Sequence, residues 1–91
     1  MENPTKHKII ITDNNPIVIE GFISLFKQDS ENEIIGIAHD GADLKNLLKK
    51  APANIIFLDL NLPATNIYRL IKDLVVEHSD CLLYTSDAAD E

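Results

Sequence analysis

Three short runs of apolar, mostly β-branched residues are spaced along the chain, at residues 8–12, 33–38 and 54–58. Polar residues occur only at the ends of these runs, and the apolar positions between them do not alternate with polar ones, which is typical of a strand buried on both faces. Strands of this kind belong to parallel sheets, because helices cover both sides of such a sheet. The pattern therefore predicts three buried strands of a parallel sheet.

A helical pattern follows each run. The first helix is predicted to begin after Asn15, a residue type that caps helices, with Pro16 at the first helical position, where its missing N–H has no cost. Apolar residues then recur at three- and four-residue spacing to about residue 27. These positions predict a stripe that faces the sheet, formed by Ile17, Val18, Phe22, Leu25 and Phe26.

The second and third helices are marked by similar signals. Asp40 and Gly41 form a turn that opens the second helix. Its last turn carries Lys49 and Lys50, which suit the helix dipole, and Pro52 prevents its continuation. The third helix is predicted from another apolar stripe, formed by Ile67, Leu70, Ile71, Leu74 and Val75.

Alternating strands and helices predict an α/β fold, a doubly wound parallel sheet with right-handed crossovers. Ligand sites in such folds lie at the carboxyl ends of the strands, where the strand order reverses, and in the flavodoxin-like order this point is between the first and third strands. Asp13 follows the first strand and Asp59 follows the third. The sequence therefore predicts that these two carboxylates meet in one acidic cleft.

Two carboxylates near the oxygens of neighbouring Asn residues form an all-oxygen site, which suits Mg²⁺ and not zinc or copper. The competing interpretation is structural, since Asp and Asn at the end of a strand often begin a turn or cap a helix. For each residue alone the structural interpretation is favoured. Because Asp13 and Asp59 occupy matching positions in the predicted fold, we favour a functional pair.

Composition and charge limit the remaining classes of function. The chain has 91 residues, of which 45% are hydrophobic and 25% charged, so we expect one domain with a single small core. Its net charge of -7 would repel a phosphate backbone, which argues against direct nucleic-acid binding by this segment. No apolar stretch is long enough for a signal peptide or a membrane span, so we expect a cytoplasmic protein without membrane contact. Cys81 is the single cysteine, which excludes an intramolecular disulfide.

Three segments resemble a known family. KIIITDNNPIVIEGF is similar to the first strand, acidic turn and first helix of a response-regulator receiver domain, IIGIAHDGADLKNLL to its second strand and helix, and NIIFLDLNLP to its phosphoacceptor strand and loop. The resemblance covers residues 8 to about 76, and its details resemble regulators with a C-terminal helix-turn-helix domain. It implies two-component signalling, in which a sensor histidine kinase is the partner and transcription regulation is the output.

The resemblance also implies roles for individual residues. Asp59 would be the phosphoacceptor, Asp13 would hold Mg²⁺ through water, and Asn61 would bind the metal through its backbone carbonyl. Asn14 occupies the position of a second acid that usually touches the metal, so the site loses one negative charge and should bind Mg²⁺ more weakly. Such a domain is not an enzyme beyond its own phosphotransfer. At full length it would reach DNA through a C-terminal domain and could form a homodimer.

Two alternatives remain open. In a pseudo-receiver the weakened pocket is not phosphorylated and the domain signals by protein contact, which Asn14 favours. A haloacid-dehalogenase-like phosphohydrolase also places a nucleophilic Asp after a strand. Such enzymes need a second acid two residues later as general acid/base, and Asn61 cannot serve as one. The hydrolase is therefore the weaker alternative.

The segment at residues 81–91, CLLYTSDAADE, has two interpretations. In the first, residues 81–84 are a fourth strand, and Thr85 is the hydroxyl residue that senses the phosphoryl group. In the second, the segment matches, to its last residue, the translation of a transposase adaptor used in shotgun sequencing. We favour the adaptor, so that residues 1–80 are a partial receiver domain truncated after about three βα units and the third strand is left with an open edge.

Overall fold

The computed structural model describes residues 6–86, in which strands and helices alternate along the chain. The strands are β1 (His7–Thr12), β2 (Asn32–Ala38), β3 (Ile55–Asp59) and β4 (Leu82–Ser86). The helices are α1 (Pro16–Phe26), α2 (Gly41–Lys50) and α3 (Ile67–Glu77). The ends of the three predicted strands lie within one residue of their predicted positions. No helix within residues 6–86 is long and apolar enough to cross a membrane.

The four strands form one parallel sheet in the order β2-β1-β3-β4. β1 lies between β2 and β3, and the strand order reverses beside it, as in flavodoxin-like sheets. The register pairs Thr12 with Leu58, so the next residues, Asp13 and Asp59, follow at the same edge of the sheet. The predicted α/β fold is confirmed, including the neighbouring positions of the first and third strands.

The main core lies between the sheet and the helices α2 and α3. Side chains alternate between the two faces of a strand, so Ile56 and Leu58 of β3 project from one face, together with Ile10 of β1. Pairs of leucines at four-residue spacing pack against them from the helices, namely Leu44 with Leu48 and Leu70 with Leu74. Burial of one leucine side chain contributes about 1.5–3 kcal/mol. The cluster therefore anchors β3, which ends in Asp59, against two helices.

The helix α1 packs on the opposite face of the sheet through aromatic rings. The ring of Phe57 projects to this side, because it alternates with Ile56 and Leu58 along β3. Its centroid lies 4.9 Å from the ring of Phe22 and 6.4 Å from the ring of Phe26. These distances are typical of aromatic pairs in cores. Helices thus cover both faces, as the doubly wound arrangement requires.

The predicted helical stripes are wider than the faces that the structure buries. Ile17 is 80% exposed and Leu25 is 71% exposed, so placing these two residues against the sheet was wrong, and Val75 of the α3 stripe is 59% exposed. A wide apolar arc does not show which of its positions reach the neighbouring layer, and single exposed apolar residues are common on protein surfaces. In α1 the contact is made by the two phenylalanines.

The strand β4 lies in the segment with two interpretations. It pairs with β3 from Ile55–Leu82 to Asp59–Ser86, so the edge of β3 is covered in the described residues and is not open as expected. Leucine, tyrosine and threonine suit a strand beside an apolar edge, whether the segment is native or encoded by an adaptor. The adaptor origin of residues 81–91 therefore stays a prediction, and residues 87–91 lie outside the described part of the chain.

Candidate functional site

Asp13 directly follows β1 and is held by backbone groups. Its amide donates to the carbonyl of Ala38 at 3.0 Å, which ties the end of β1 to the end of β2. Its carboxylate Oδ1 accepts from the amide of Asn15 at 2.8 Å, which turns the chain towards α1. The side chain of Asn15 in turn accepts from the amide of Ile17 at 2.9 Å, so the predicted cap of α1 is confirmed. These bonds fix the direction of the chain at Asp13.

Asp59 is the last residue of β3 and has the same local geometry. Its Oδ1 accepts from the amide of Asn61 at 3.0 Å, again two residues further along the chain. The next amide, of Leu60, donates to the carbonyl of Ser86 at 2.8 Å. Nothing in the sequence pattern indicated this second contact, because it joins two backbone groups. Together the two bonds fix the backbone after Asp59.

Asp13 and Asp59 line one cavity of about 310 Å³ at the carboxyl end of the sheet. They are only 5% and 8% exposed, respectively. Phe22 and Phe57 form part of the apolar wall of this cavity. Thr12 also lines it, and its buried hydroxyl has no hydrogen-bond partner within residues 6–86. The structure therefore brings two acidic side chains together in a largely apolar surrounding.

The other predicted site residues lie at different positions relative to this cavity. Thr85, paired with Leu58 across the β3–β4 register, lines the cavity but is exposed to solvent. Asn14 and Asn61 are exposed, and neither belongs to the residues that line the cavity. Asn61 is nevertheless next to the acidic pair, since its amide binds the carboxylate of Asp59.

The two buried carboxylates have no counter-charge from the described residues. Neither Asp13 nor Asp59 belongs to an ion pair within residues 6–86. The ion pairs of this part of the chain are His39 with Asp43, Lys45 with Asp73 and Arg69 with Asp73. A buried charge without a partner is costly, and two like charges side by side raise that cost. A cation in the cavity would therefore be bound favourably.

The donor set indicates which cation fits. Within residues 6–86 no group of three or more His, Cys, Asp or Glu side chains could hold a metal ion. Two carboxylates remain in the cavity, whereas Asn14 and Asn61 are not among the residues that line it. Oxygen donors of this kind suit a hard cation such as Mg²⁺, which binds through one or two carboxylates and keeps several waters. Asp13 and Asp59 thus fit Mg²⁺.

Comparison with known proteins gives a consistent result, although no family model matches the chain. The transcriptional regulatory protein DegU of Brevibacillus brevis is 27% identical over 78 residues, which are 86% of this chain and 33% of the relative. The DNA-binding transcriptional activator DevR/DosR of Mycobacterium tuberculosis is 30% identical over 86 residues, which are 92% of this chain and 40% of the relative. The chain therefore spans between a third and two fifths of these regulators.

The fold also matches solved structures. The non-phosphorylated receiver domain of the stress response regulator RcsB from Escherichia coli superposes with a TM-score of 0.82 and 24% identity. The match covers 94% of this chain and 68% of that structure, and it concerns the fold. The sequence relatives and the fold together identify the chain as a homologue of response regulators with the fold of their receiver domain.

Proposed function

We propose that this chain is the phosphoacceptor receiver domain of a two-component response regulator and that Asp59 takes the phosphoryl group. The observation that carries the proposal is the pair of buried carboxylates, Asp13 and Asp59, in one cavity without a counter-charge from residues 6–86. Two buried carboxylates without a counter-charge are unfavourable, and a bound cation would stabilise them. The same cation would reduce the repulsion between Asp59 and an incoming phosphoryl group. The relatives named above are transcriptional regulators, which supports a signalling role.

The local geometry supports Asp59 as the nucleophile. The amide of Asn61 binds Oδ1, which orients the carboxylate and leaves Oδ2 as the attacking oxygen that we assign. Oδ2 forms a bond to the phosphorus of a phosphohistidine on the kinase while the P–N bond breaks. The electron pair of that bond stays with the imidazole nitrogen, and the ring leaves as neutral imidazole when its other nitrogen carries a proton. The product is an aspartyl phosphate.

The acidic pair would also hold the metal. Mg²⁺, when bound, would neutralise charge on the carboxylates and on the oxygens of the transferred group. Asp13 would hold it through water and Asp59 directly, with the backbone carbonyl of Asn61 and the side chain of Asn14 as neutral ligands. Asn14 carries no charge, so the affinity for Mg²⁺ should be lower than that of a site with three acids. The hydroxyl of Thr85 would contact the phosphoryl group if this residue is native.

The consequence of phosphorylation would be a shift in the population of an output-competent conformation. The partner that supplies the phosphoryl group is a sensor histidine kinase, and we place this exchange in the cytoplasm. The negative charge of the chain makes direct contact with nucleic acid unfavourable, so DNA would be bound by a domain outside these residues. A homodimer of the full-length protein is a further part of the proposal.

The proposal is tested with the full-length protein, a small radiolabelled phosphodonor and Mg²⁺. The wild type should gain a label that is lost in both acid and alkali, as an acyl phosphate is. Asp59→Asn keeps the oxygen that accepts from the Asn61 amide but lacks the charged nucleophile, so it should gain no label. Glu20→Gln removes an equal charge from an exposed position of α1 and should label like the wild type. Label retained in Asp59→Asn would refute the assignment, and an unlabelled wild type that binds no Mg²⁺ would favour the pseudo-receiver.

A further inference from the structure

The loop between β3 and α3, residues 60–66, is anchored at its far end by Thr65. The Thr65 hydroxyl donates to the carbonyl of Pro63 at 2.7 Å and accepts from the amide of Gly41 at 3.1 Å. Gly41 is the first residue of α2, and its amide is one of the N-terminal donors that a helix cannot satisfy internally. The hydroxyl therefore connects the loop that carries Asn61 to a helix that begins 24 residues earlier in the chain.

The lack of a side chain at Gly41 leaves room for this contact. A Cβ atom at this position would lie 3.0 Å from Cγ2 of Thr65 and 3.4 Å from Cδ2 of Leu70. The backbone of Gly41 does not have a positive φ, so a left-handed conformation does not explain the glycine. The missing side chain instead permits the close approach of the loop. A Cβ atom at residue 41 would therefore crowd the contact, and the hydroxyl of Thr65 supplies the acceptor.

Ala64, which lies between Pro63 and Thr65, has a strained backbone. Ala64 has φ 49°, which lies in the left-handed region that residues with a Cβ atom rarely adopt. Such a conformation persists only where surrounding contacts determine it. The bond from Thr65 to Pro63 spans Ala64, and the bond from Gly41 holds Thr65 in place. These contacts stabilise the turn at Ala64.

The same loop has two further anchors closer to the acidic pair. The amide of Asn61 binds Asp59, and the side chain of Leu62 is buried in the main core at 7% exposure. Asn61 therefore lies between a fixed strand end and a loop whose far half depends on Thr65. The far half joins this segment at Pro63, so Thr65 adds a third restraint on the backbone that leads to Asn61.

We propose that Thr65 is a positioning residue for phosphoryl transfer to Asp59. The bond of its hydroxyl to Gly41 restrains the far half of the loop that carries Asn61, whose backbone carbonyl is a metal ligand in the proposed function. Thr65 binds neither carboxylate and acts through the loop. This inference rests on the proposed function, since it assigns Thr65 a role in the same site.

The test compares Thr65→Val, which removes the hydroxyl at nearly equal volume, with Thr65→Ser, which retains it. The full-length variants are titrated with Mg²⁺ by calorimetry, and labelling by the small phosphodonor is timed. The loss of one hydrogen bond corresponds to a change of about twofold to tenfold in an equilibrium constant. We expect Thr65→Val to have a lower affinity for Mg²⁺ and a lower rate of labelling, each by such a factor. Thr65→Ser should behave like the wild type.

Amide hydrogen exchange at Gly41 gives a readout that does not depend on phosphorylation. Exchange should be faster in Thr65→Val and unchanged in Thr65→Ser, and unchanged slow exchange of the amides of β3, which is paired on both sides, shows that both variants are folded. Wild-type Mg²⁺ affinity and labelling in Thr65→Val would overturn the positioning role, as would a Thr65→Ser that is as weak as Thr65→Val. A wild type that neither binds Mg²⁺ nor gains label would overturn the proposed function itself, and with it the role of Thr65.

Discussion

Neutralising one member of the acidic pair should stabilise the protein in the absence of Mg²⁺. Asp13→Asn keeps the oxygen that accepts from the Asn15 amide and removes the negative charge. Asp13 and Asp59 are both buried and have no ion-pair partner within residues 6–86, so their mutual repulsion is a cost of the folded state. We expect the free energy of unfolding to rise in the variant.

The magnitude follows from the strand register. Because β1 and β3 are adjacent and Thr12 pairs with Leu58, the next residues are also neighbours, and adjacent strands lie about 4.8 Å apart. For carboxylates roughly 6 Å apart, the repulsion is about 0.7 kcal/mol in water and about 2.8 kcal/mol at an effective dielectric constant of 20. Burial of both groups favours the upper part of this range. The expected stabilisation is therefore about 2–3 kcal/mol.

The assay is urea unfolding of the full-length protein with and without saturating Mg²⁺. A ligand that binds the folded state raises the stability of that state, so Mg²⁺ should stabilise the wild type and have little effect on Asp13→Asn. Glu20→Gln, on the exposed side of α1, removes the same charge and should keep the response to Mg²⁺. The predicted repulsion between Asp13 and Asp59 is refuted if Asp13→Asn is less stable than the wild type without Mg²⁺, or if the stability of both proteins responds equally to the metal.

Three further predictions follow from the core, from a surface ion pair and from the gene. Leu44→Ala, at a position with 0% exposure, should lower the free energy of unfolding by about 2–5 kcal/mol, whereas Leu25→Ala, at 71% exposure, should change it by less than about 0.5 kcal/mol in the same urea assay; equal losses would contradict the assigned core. The hydrogen bond from Lys45 lowers the pKa of Asp73, so the stability that this bond contributes is present above the ordinary carboxyl pKa of the unfolded chain and is lost as the pH falls through the lower folded pKa. An NMR titration should show the pKa of Asp73 rising towards its ordinary value in Lys45→Met, and an unchanged pKa would exclude Lys45 as the cause. Genomic DNA downstream of codon 80 should encode a sequence other than CLLYTSDAADE, and an identical sequence would show that the segment is native.

Local signals in the sequence suffice for the order of the elements from β1 to α3 and for the location of the acidic pair, although not for β4. Continuous β-branched runs predicted β1, β2 and β3, and the Asn15 cap with Pro16 predicted where α1 begins. The parallel arrangement follows from the alternation of strand and helix, because short crossovers of one handedness leave few topologies. Once the topology is known, Asp13 and Asp59 must follow neighbouring strands at one edge of the sheet.

Other features depend on contacts between distant segments and could not be predicted. The apolar stripe of α1 did not show that Phe22 and Phe26 reach Phe57 while Ile17 and Leu25 remain exposed, because the rotation of a helix on a sheet is set by packing. The bond between Thr65 and Gly41 joins a common polar residue to a backbone amide, and neither residue carries a sequence signal for the other. Local propensities and periodicities thus account for the elements from β1 to α3 and their order, whereas close approach and burial arise when side chains far apart in the chain share one small volume.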